Sequence, residues 1–261
     1  MEHQHHEHSH EEPKEPVAIA SAKQKDRFLP ASILIAAVVI AGSVVFAATR
    51  PSGGGVITLP IATTTAGSAG TAAAPVPPIG SGEAILGNAN APVTFIEYGD
   101  YQCPFCGRMF TNVEPQLRTD YINTGKVKMV FRNFQFLGPE STAAGAAAYC
   151  AADQSKFWAY RDALYQAKVN EVANNGGSEN DGFFSRSLFL KLANQTGLDA
   201  TTFTSCIDSN KYASKVEKDK ADASAVGVNS TPTNYINGQQ VLGAQPYTAF
   251  KAVIDAALQG K

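Results

Sequence analysis

Hydrophobic and polar positions divide this chain into four stretches. Residues 1–27 are polar and mixed in charge. They carry too little apolar surface to offset the entropy of ordering, which predicts a disordered tail. Residues 28–49 form an apolar run with no charge, and a helix of that length spans about 33 Å, enough to cross a bilayer core. Pro30 stands at its start, where a helix tolerates it. Lys23, Lys25 and Arg27 precede the run and only Arg50 follows it. The positive-inside rule then leaves residues 1–27 in the cytoplasm and residues 50–261 outside. A cleaved leader ending near Ala47 or Ala48 is the competing reading. Its usual apolar core is shorter than this one, which favours an uncleaved anchor. After Arg50, residues 51–82 are mostly Gly, Ala, Thr, Ser and Pro, the composition of a linker.

The fourth stretch, residues 83–261, has the periodicities of a folded domain. Pro92–Tyr98 is rich in β-branched and aromatic residues and reads as a strand, as does Val127–Phe131. A helical pattern runs between them to about Tyr121. Residues 141–226 are mostly helical, interrupted by an Asn/Gly loop at 174–182. Residues 234–237 and 239–242 read as a hairpin with Asn237-Gly238 at its turn. Phe250, Val253, Ile254, Ala257 and Leu258 fall on one face of a last helix. The predicted order is strand, helix, strand, helical insert, hairpin, helix.

Composition narrows the function. The 261 residues are 44% hydrophobic with a formal net charge of −2, so there is no basic footprint for nucleic acid. All five histidines lie between His3 and His10. That excludes a Ser-His-Asp or Cys-His centre, and any His-ligated metal, from the folded domain. The His/Glu-rich tail itself has the residue types of a divalent-metal ligand set, although a solvated tail is the simpler reading.

The strongest chemical signal is Cys103-Pro104-Phe105-Cys106, which follows a predicted strand and opens a helix. Two intervening residues let both sulfurs meet across one helical turn. Cys103 at the helix N-terminus faces free N–H groups and the positive dipole end, which favour a thiolate. Cys106, a turn further in, is the candidate resolving thiol. A zinc site would need four ligands, and the domain adds only the isolated Cys150 and Cys206.

With these residues the chain resembles the thioredoxin superfamily, and within it the DsbA-like thiol–disulfide oxidoreductases. The resemblance runs over about residues 85–260. It is carried by Phe95 to Cys106, by Tyr149-Cys150-Ala151-Ala152, by Gln154 to Trp158, by Gly227-Val228, and by Ser230-Thr231-Pro232-Thr233 with Tyr235 to Gly238. It implies an α/β thioredoxin fold with a helical domain inserted at about 138–226. It also implies that Pro232 is a cis-proline facing the cysteines and that Thr231 pairs with the substrate chain.

Glu97, on the strand face it shares with Phe95, is a candidate proton relay for the resolving cysteine if it is buried. An exposed strand-end glutamate is the alternative. Asp100 reads as a solvated or capping residue, and Phe105 and Tyr101 as exposed apolar surface near Cys103. Phe105 replaces the histidine of the best-known family form and cannot donate to a thiolate, which predicts a somewhat weaker oxidant, with compensation by backbone N–H groups as the alternative. Cys150 and Cys206 are candidates for a structural disulfide, with two buried free thiols as the alternative. The implied function is disulfide formation in reduced exported proteins, with reoxidation by a quinone-linked membrane partner. No metal or organic cofactor is implied. Reduction or isomerisation on the same fold, and a non-catalytic binding module, are the alternatives.

Overall fold

The computed structural model describes residue 76 and residues 78–260. The segment 28–49 read as a membrane anchor, the tail before it and nearly all of the linker lie outside the described residues. Among the described residues no helix is long and apolar enough to cross a membrane.

A five-stranded sheet forms the centre. In chain order its strands are β1 (Ile85–Leu86), β2 (Val93–Gly99), β3 (Val127–Asn133), β4 (Thr233–Ile236) and β5 (Gln239–Leu242). Their spatial order is β1-β3-β2-β4-β5, with β2 and β3 parallel and the other pairs antiparallel. β2 is flanked on both sides, so six of its seven residues are buried. β1 is too short to show a period in the sequence and was not anticipated. The β4–β5 turn is the expected one. Asn237 and Gly238 take φ of 48° and 87°, the left-handed pair that a two-residue hairpin needs.

The active-site helix α1 (Pro104–Asn112) begins on Pro104 and is shorter than its apolar pattern suggested. It stops at Val113, ahead of Pro115. A short helix α2 (Glu114–Leu117) and one π-turn (Arg118–Ile122) complete the run to Tyr121 and beyond. Phe95, Met109, Leu117, Ile236, Phe250 and Ile254 form one core layer, between the sheet, α1 and the last helix α8 (Tyr247–Gln259).

Between β3 and β4 the chain builds α3 (Pro139–Ala152), α4 (Phe157–Asn175), α5 (Arg186–Gln195), α6 (Ala200–Asp208) and α7 (Ala213–Ala225). These are the predicted insert. Ser185 and Asp199 cap α5 and α6 by accepting from Leu188 N–H and Thr202 N–H. The sulfurs of Cys150 on α3 and Cys206 on α6 are bonded. In the chain-entropy view a link across this separation stabilises the fold by about 4 kcal/mol.

Insert and sheet are joined by a buried charge cluster. Arg161 of α4 is fully buried, and its Nη2 lies 3.1 Å from Glu97 Oε2 on β2. Both its terminal nitrogens also hold Glu114, at 2.6 and 2.7 Å. Arg118 bonds Glu114 and, through two contacts, Asp162. The rings of Phe131 and Tyr165 lie 4.7 and 4.6 Å from the Arg161 guanidinium. Replacing one partner of a buried ion pair typically costs 3–5 kcal/mol, because the remaining charge is stranded. Arg161→Met is therefore expected to lower unfolding stability by roughly 3–5 kcal/mol at neutral pH. The loss should shrink as pH falls and the stranded Glu114 carboxylate protonates. Urea unfolding at several pH values measures both; a cost under about 1 kcal/mol at all of them would refute the role given to Arg161.

Candidate functional site

The site forms where the C-terminal end of β2 turns into α1. Asp100, expected to be a solvated or capping residue, is fully buried there and accepts from backbone N–H groups, so only the solvated reading is set aside. One carboxylate oxygen accepts from the N–H groups of Phe136 and Leu137 at 2.9 and 3.0 Å. The other accepts from Gln102 N–H at 2.8 Å and Ser141 Oγ at 2.6 Å. A short acid in this turn meets four donors at once, which outweighs its preference for water. Burial still pushes its pKa up, against the pull of those bonds. Asp100 thus fixes the turn that presents Cys103 against the start of the insert.

Tyr101 is another correction. It is fully buried against Phe131 and Tyr165, with ring centroids 5.5 and 5.0 Å away, and contributes no exposed surface. Phe105 is half exposed, as expected. The close packing behind the turn leaves no room at Gly99, where a Cβ would come within 2.5 Å of the Phe131 ring.

Cys103 and Cys106 are both free thiols. Cys103 is nearly buried and stands in the N-cap position of α1; Cys106 is fully buried. Thr231-Pro232, from the segment before β4, is a cis peptide, and it brings Thr231 onto Cys103. The Cys103 thiol donates to the Thr231 carbonyl oxygen at 3.4 Å. Thr231 Oγ1 is buried and has no partner in this thiol state.

Ionisation changes those roles. The Cys103 pKa is pushed down to about 6, chiefly by a hydrogen bond from the Cys106 thiol. Burial opposes this. The Thr231 side chain and the N–H groups of Cys106 and Phe105 support it. So the thiol gives its proton to the Thr231 carbonyl side, whereas the thiolate draws on the Thr231 hydroxyl. Cys106 moves the other way, upward, because burial, its bond to Cys103, the Cys103 charge and the nearby Glu97 all disfavour its thiolate. One thiol is prepared to ionise and the other to hold its proton.

Glu97 lies within this field and is fully buried, so the exposed alternative is set aside. Burial raises its pKa well above the usual carboxylate range; Arg161 opposes that, and Glu114 adds to it. Glu114, held by Arg161 and Arg118, keeps its charge, with a pKa below the ordinary value despite burial. Three carboxyls face two guanidinium groups in the cluster, and Glu97 Oε1 has no hydrogen-bond partner. The surplus proton therefore belongs on Glu97. Arg161 and Glu114 were not anticipated. Arg161 was legible, since it shares its helical face with Phe157, Tyr160, Leu164 and Tyr165. Among the described residues no three His, Cys, Asp or Glu side chains are grouped to hold a metal ion.

A sequence-family model described as Thioredoxin matches residues 81–256. A curated relative, the "Probable disulfide bond formation protein D" of Bacillus anthracis, is 32% identical over 179 residues, which cover 67% of this chain and 77% of that one. The crystal structure of oxidised BdbD from Bacillus subtilis superposes with a TM-score of 0.64 at 29% identity, over 72% of this chain and 99% of that chain. That of α-DsbA1 from Wolbachia pipientis superposes at 0.61 and 24% identity, over 70% and 94%, a likeness of fold. A CxxC dithiol on this sheet, with its helical insert and a match over two thirds of the chain, decides the matter: the chain belongs to the thioredoxin family, as a DsbA-like thiol–disulfide oxidoreductase.

Proposed function

We propose that the chain donates disulfides to reduced polypeptides outside the cytoplasm, through Cys103 and Cys106, while residues 28–49 anchor it to the membrane. The observation that carries the direction is the place of Cys103 at the start of α1, where the Cys106 thiol, the Thr231 side chain and the N–H groups of Cys106 and Phe105 favour its thiolate and lower its pKa to about 6. A stabilised thiolate is a stabilised reduced form, and stabilising the reduced form makes the disulfide a stronger oxidant. The name and fold of the Bacillus relatives support the same direction.

In the exchange, a substrate thiolate attacks Cys103 Sγ. The Cys103–Cys106 bond breaks and its electron pair goes to Cys106. Glu97 gives its proton to the Cys106 thiolate, leaving Cys106 neutral. A second substrate thiolate then attacks the substrate sulfur of the mixed disulfide. Cys103 departs as a thiolate, a good leaving group at its low pKa. Thr231 pairs with the substrate backbone and donates to the departing sulfur; Pro232 sets the approach. A membrane partner, taken to be quinone-linked, accepts the electrons later, and Cys106 then returns its proton to Glu97. No cofactor enters any step.

The reduction potential is the first test. A value some tens of millivolts below the about −120 mV of the strongest oxidants is the expected outcome in glutathione buffers, and one near about −270 mV would assign a reductase instead. Cys103→Ser should abolish exchange, which a non-catalytic module would not predict.

The thiolate field has its own test. Alkylation of Cys103 is expected to follow a titration with its midpoint near pH 6. The reduced form gains stability from this ionisation. That gain is complete above the thiol's unfolded pKa and is lost as pH falls through about 6. Thr231→Val removes one donor to the thiolate. The midpoint should rise, and the potential should fall by about 30 mV for each 1.4 kcal/mol of lost stabilisation. An unchanged midpoint would remove the hydroxyl from the account.

Glu97→Gln keeps the shape and neutrality of the carboxyl but has no proton to give. Substrate oxidation should slow on the order of 100-fold, the low end for a positioned acid, while Cys103 alkylation keeps its midpoint. Equal rates at every pH would exclude Glu97 from the proton path.

A further inference from the structure

Beside Cys103 the surface folds into a groove of 240 Å³ between α1 and α4. Cys103 lines it. Its walls are Pro104, Tyr165, Val169 and Val172, with far more apolar than polar lining. Val172 is 42% exposed, a large aliphatic side chain left in water beside a reactive sulfur. The volume is below the 300–1,000 Å³ typical of small-molecule pockets, which suits one or two side chains rather than a cofactor.

The rim carries two cations and no acid. Lys168 is already engaged, with Nζ 2.7 Å from the Ser178 carbonyl and 3.9 Å from Asp181. Arg108 is exposed. Its guanidinium lies 4.9 Å over the Phe105 ring, and it has no ion pair among the described residues. The whole chain has a net charge of −2, so a preference for acidic chains would have to arise locally.

We propose that this groove is a specificity subsite that seats an aliphatic side chain flanking the substrate's reactive cysteine, with an acidic residue beyond it paired to Arg108. This rests on the disulfide-donating reading. The groove is continuous with the mixed disulfide: a chain bonded to Cys103 continues past Pro104, and its flanking residues must either enter the apolar trough or leave it hydrated. Burying one aliphatic side chain there favours entry. The occupant is an extended reduced polypeptide: the Cys103–Cys106 disulfide exchanges with a thiol, and of thiols only a chain has flanking side chains to fill the groove that Cys103 lines.

The test uses four dithiol peptides on one Gly-Ser spacer. The reactive cysteine is flanked on both sides by Leu or Ser, and beyond that by Glu or Lys. The full-length oxidised protein is mixed with each, and second-order rate constants are compared as ratios, which cancel any change in the reactivity of Cys103 itself. Leu over Ser should gain about tenfold, within what partial burial of one such side chain supplies. Val172→Ser should bring that ratio near one. Arg108→Glu should turn a Glu preference of a few fold into a Lys preference. Equal rates for all four peptides would overturn the subsite, as would wild-type ratios retained in both variants. Self-association of the full chain that Val172→Ser abolishes, with peptide ratios unchanged, would give the groove to a second copy and equally overturn it. Oxidation of dithiothreitol by the wild-type protein separates the two readings. If it proceeds while the peptides are not discriminated, only the subsite falls; if it fails, the disulfide-donating reading falls with it.

Discussion

A single buried guanidinium holds the two parts of this molecule in register. Arg161 comes from the helical insert, Glu97 from the central strand, and Glu114 from the helix that follows the active-site helix. Such a cluster is expensive to desolvate and contributes little net stability when complete. Its value is geometric. It fixes α4 against β2 where Tyr165 and Phe131 close the floor beneath the cysteines. It also fixes a proton count, because two cations cannot neutralise three carboxyls. The same arrangement that locks the insert in place therefore leaves a protonated carboxyl in the electrostatic field of Cys106.

The polarity of the dithiol follows from the hydrogen bonds that Cys103 receives and from the depth of Cys106, rather than from a cation beside the pair. In the best-known relatives of this motif a histidine stands between the cysteines, and here Phe105 takes that place. The thiolate is held instead by the Cys106 thiol, the Thr231 hydroxyl and two backbone N–H groups. The Cys106 thiol contributes most, so the solution rests first on the dithiol itself, with the N–H groups of the helix start in support. None of these donors carries a charge, which is in keeping with the somewhat weaker oxidant expected from Phe105.

What was legible in the sequence was what local patterns encode. The strand with its β-branched run, the CxxC at a helix start, the Asn-Gly hairpin and the amphipathic last helix all follow from short-range rules. The helical insert followed from composition and from the resemblance. What escaped was set at a distance. Asp100 is a turn acid by local criteria, and only the arrival of Phe136, Leu137 and Ser141 makes it a buried acceptor. Tyr101 stands next to an exposed loop in sequence but beneath Phe131 and Tyr165 in space. Glu114 lies on a helix of four residues, too short to show a face. Arg161 was within reach of periodicity, since its neighbours at three and four residues are aromatic or aliphatic. A charged residue on such a face is a question about its partners.

Cys103 and Thr231 stand 128 residues apart in the chain and touch only in the finished fold. A polypeptide is made from its N-terminus, so the dithiol is complete long before the residue that faces it exists. During that interval the helix start can form, yet the Thr231 hydroxyl is missing and β2 lacks β4 beside it. A growing chain thus carries its reactive pair in an unfinished setting. The tuned site is assembled late, after every helix of the insert has been made, and reactivity is tied to how much of the chain is in place.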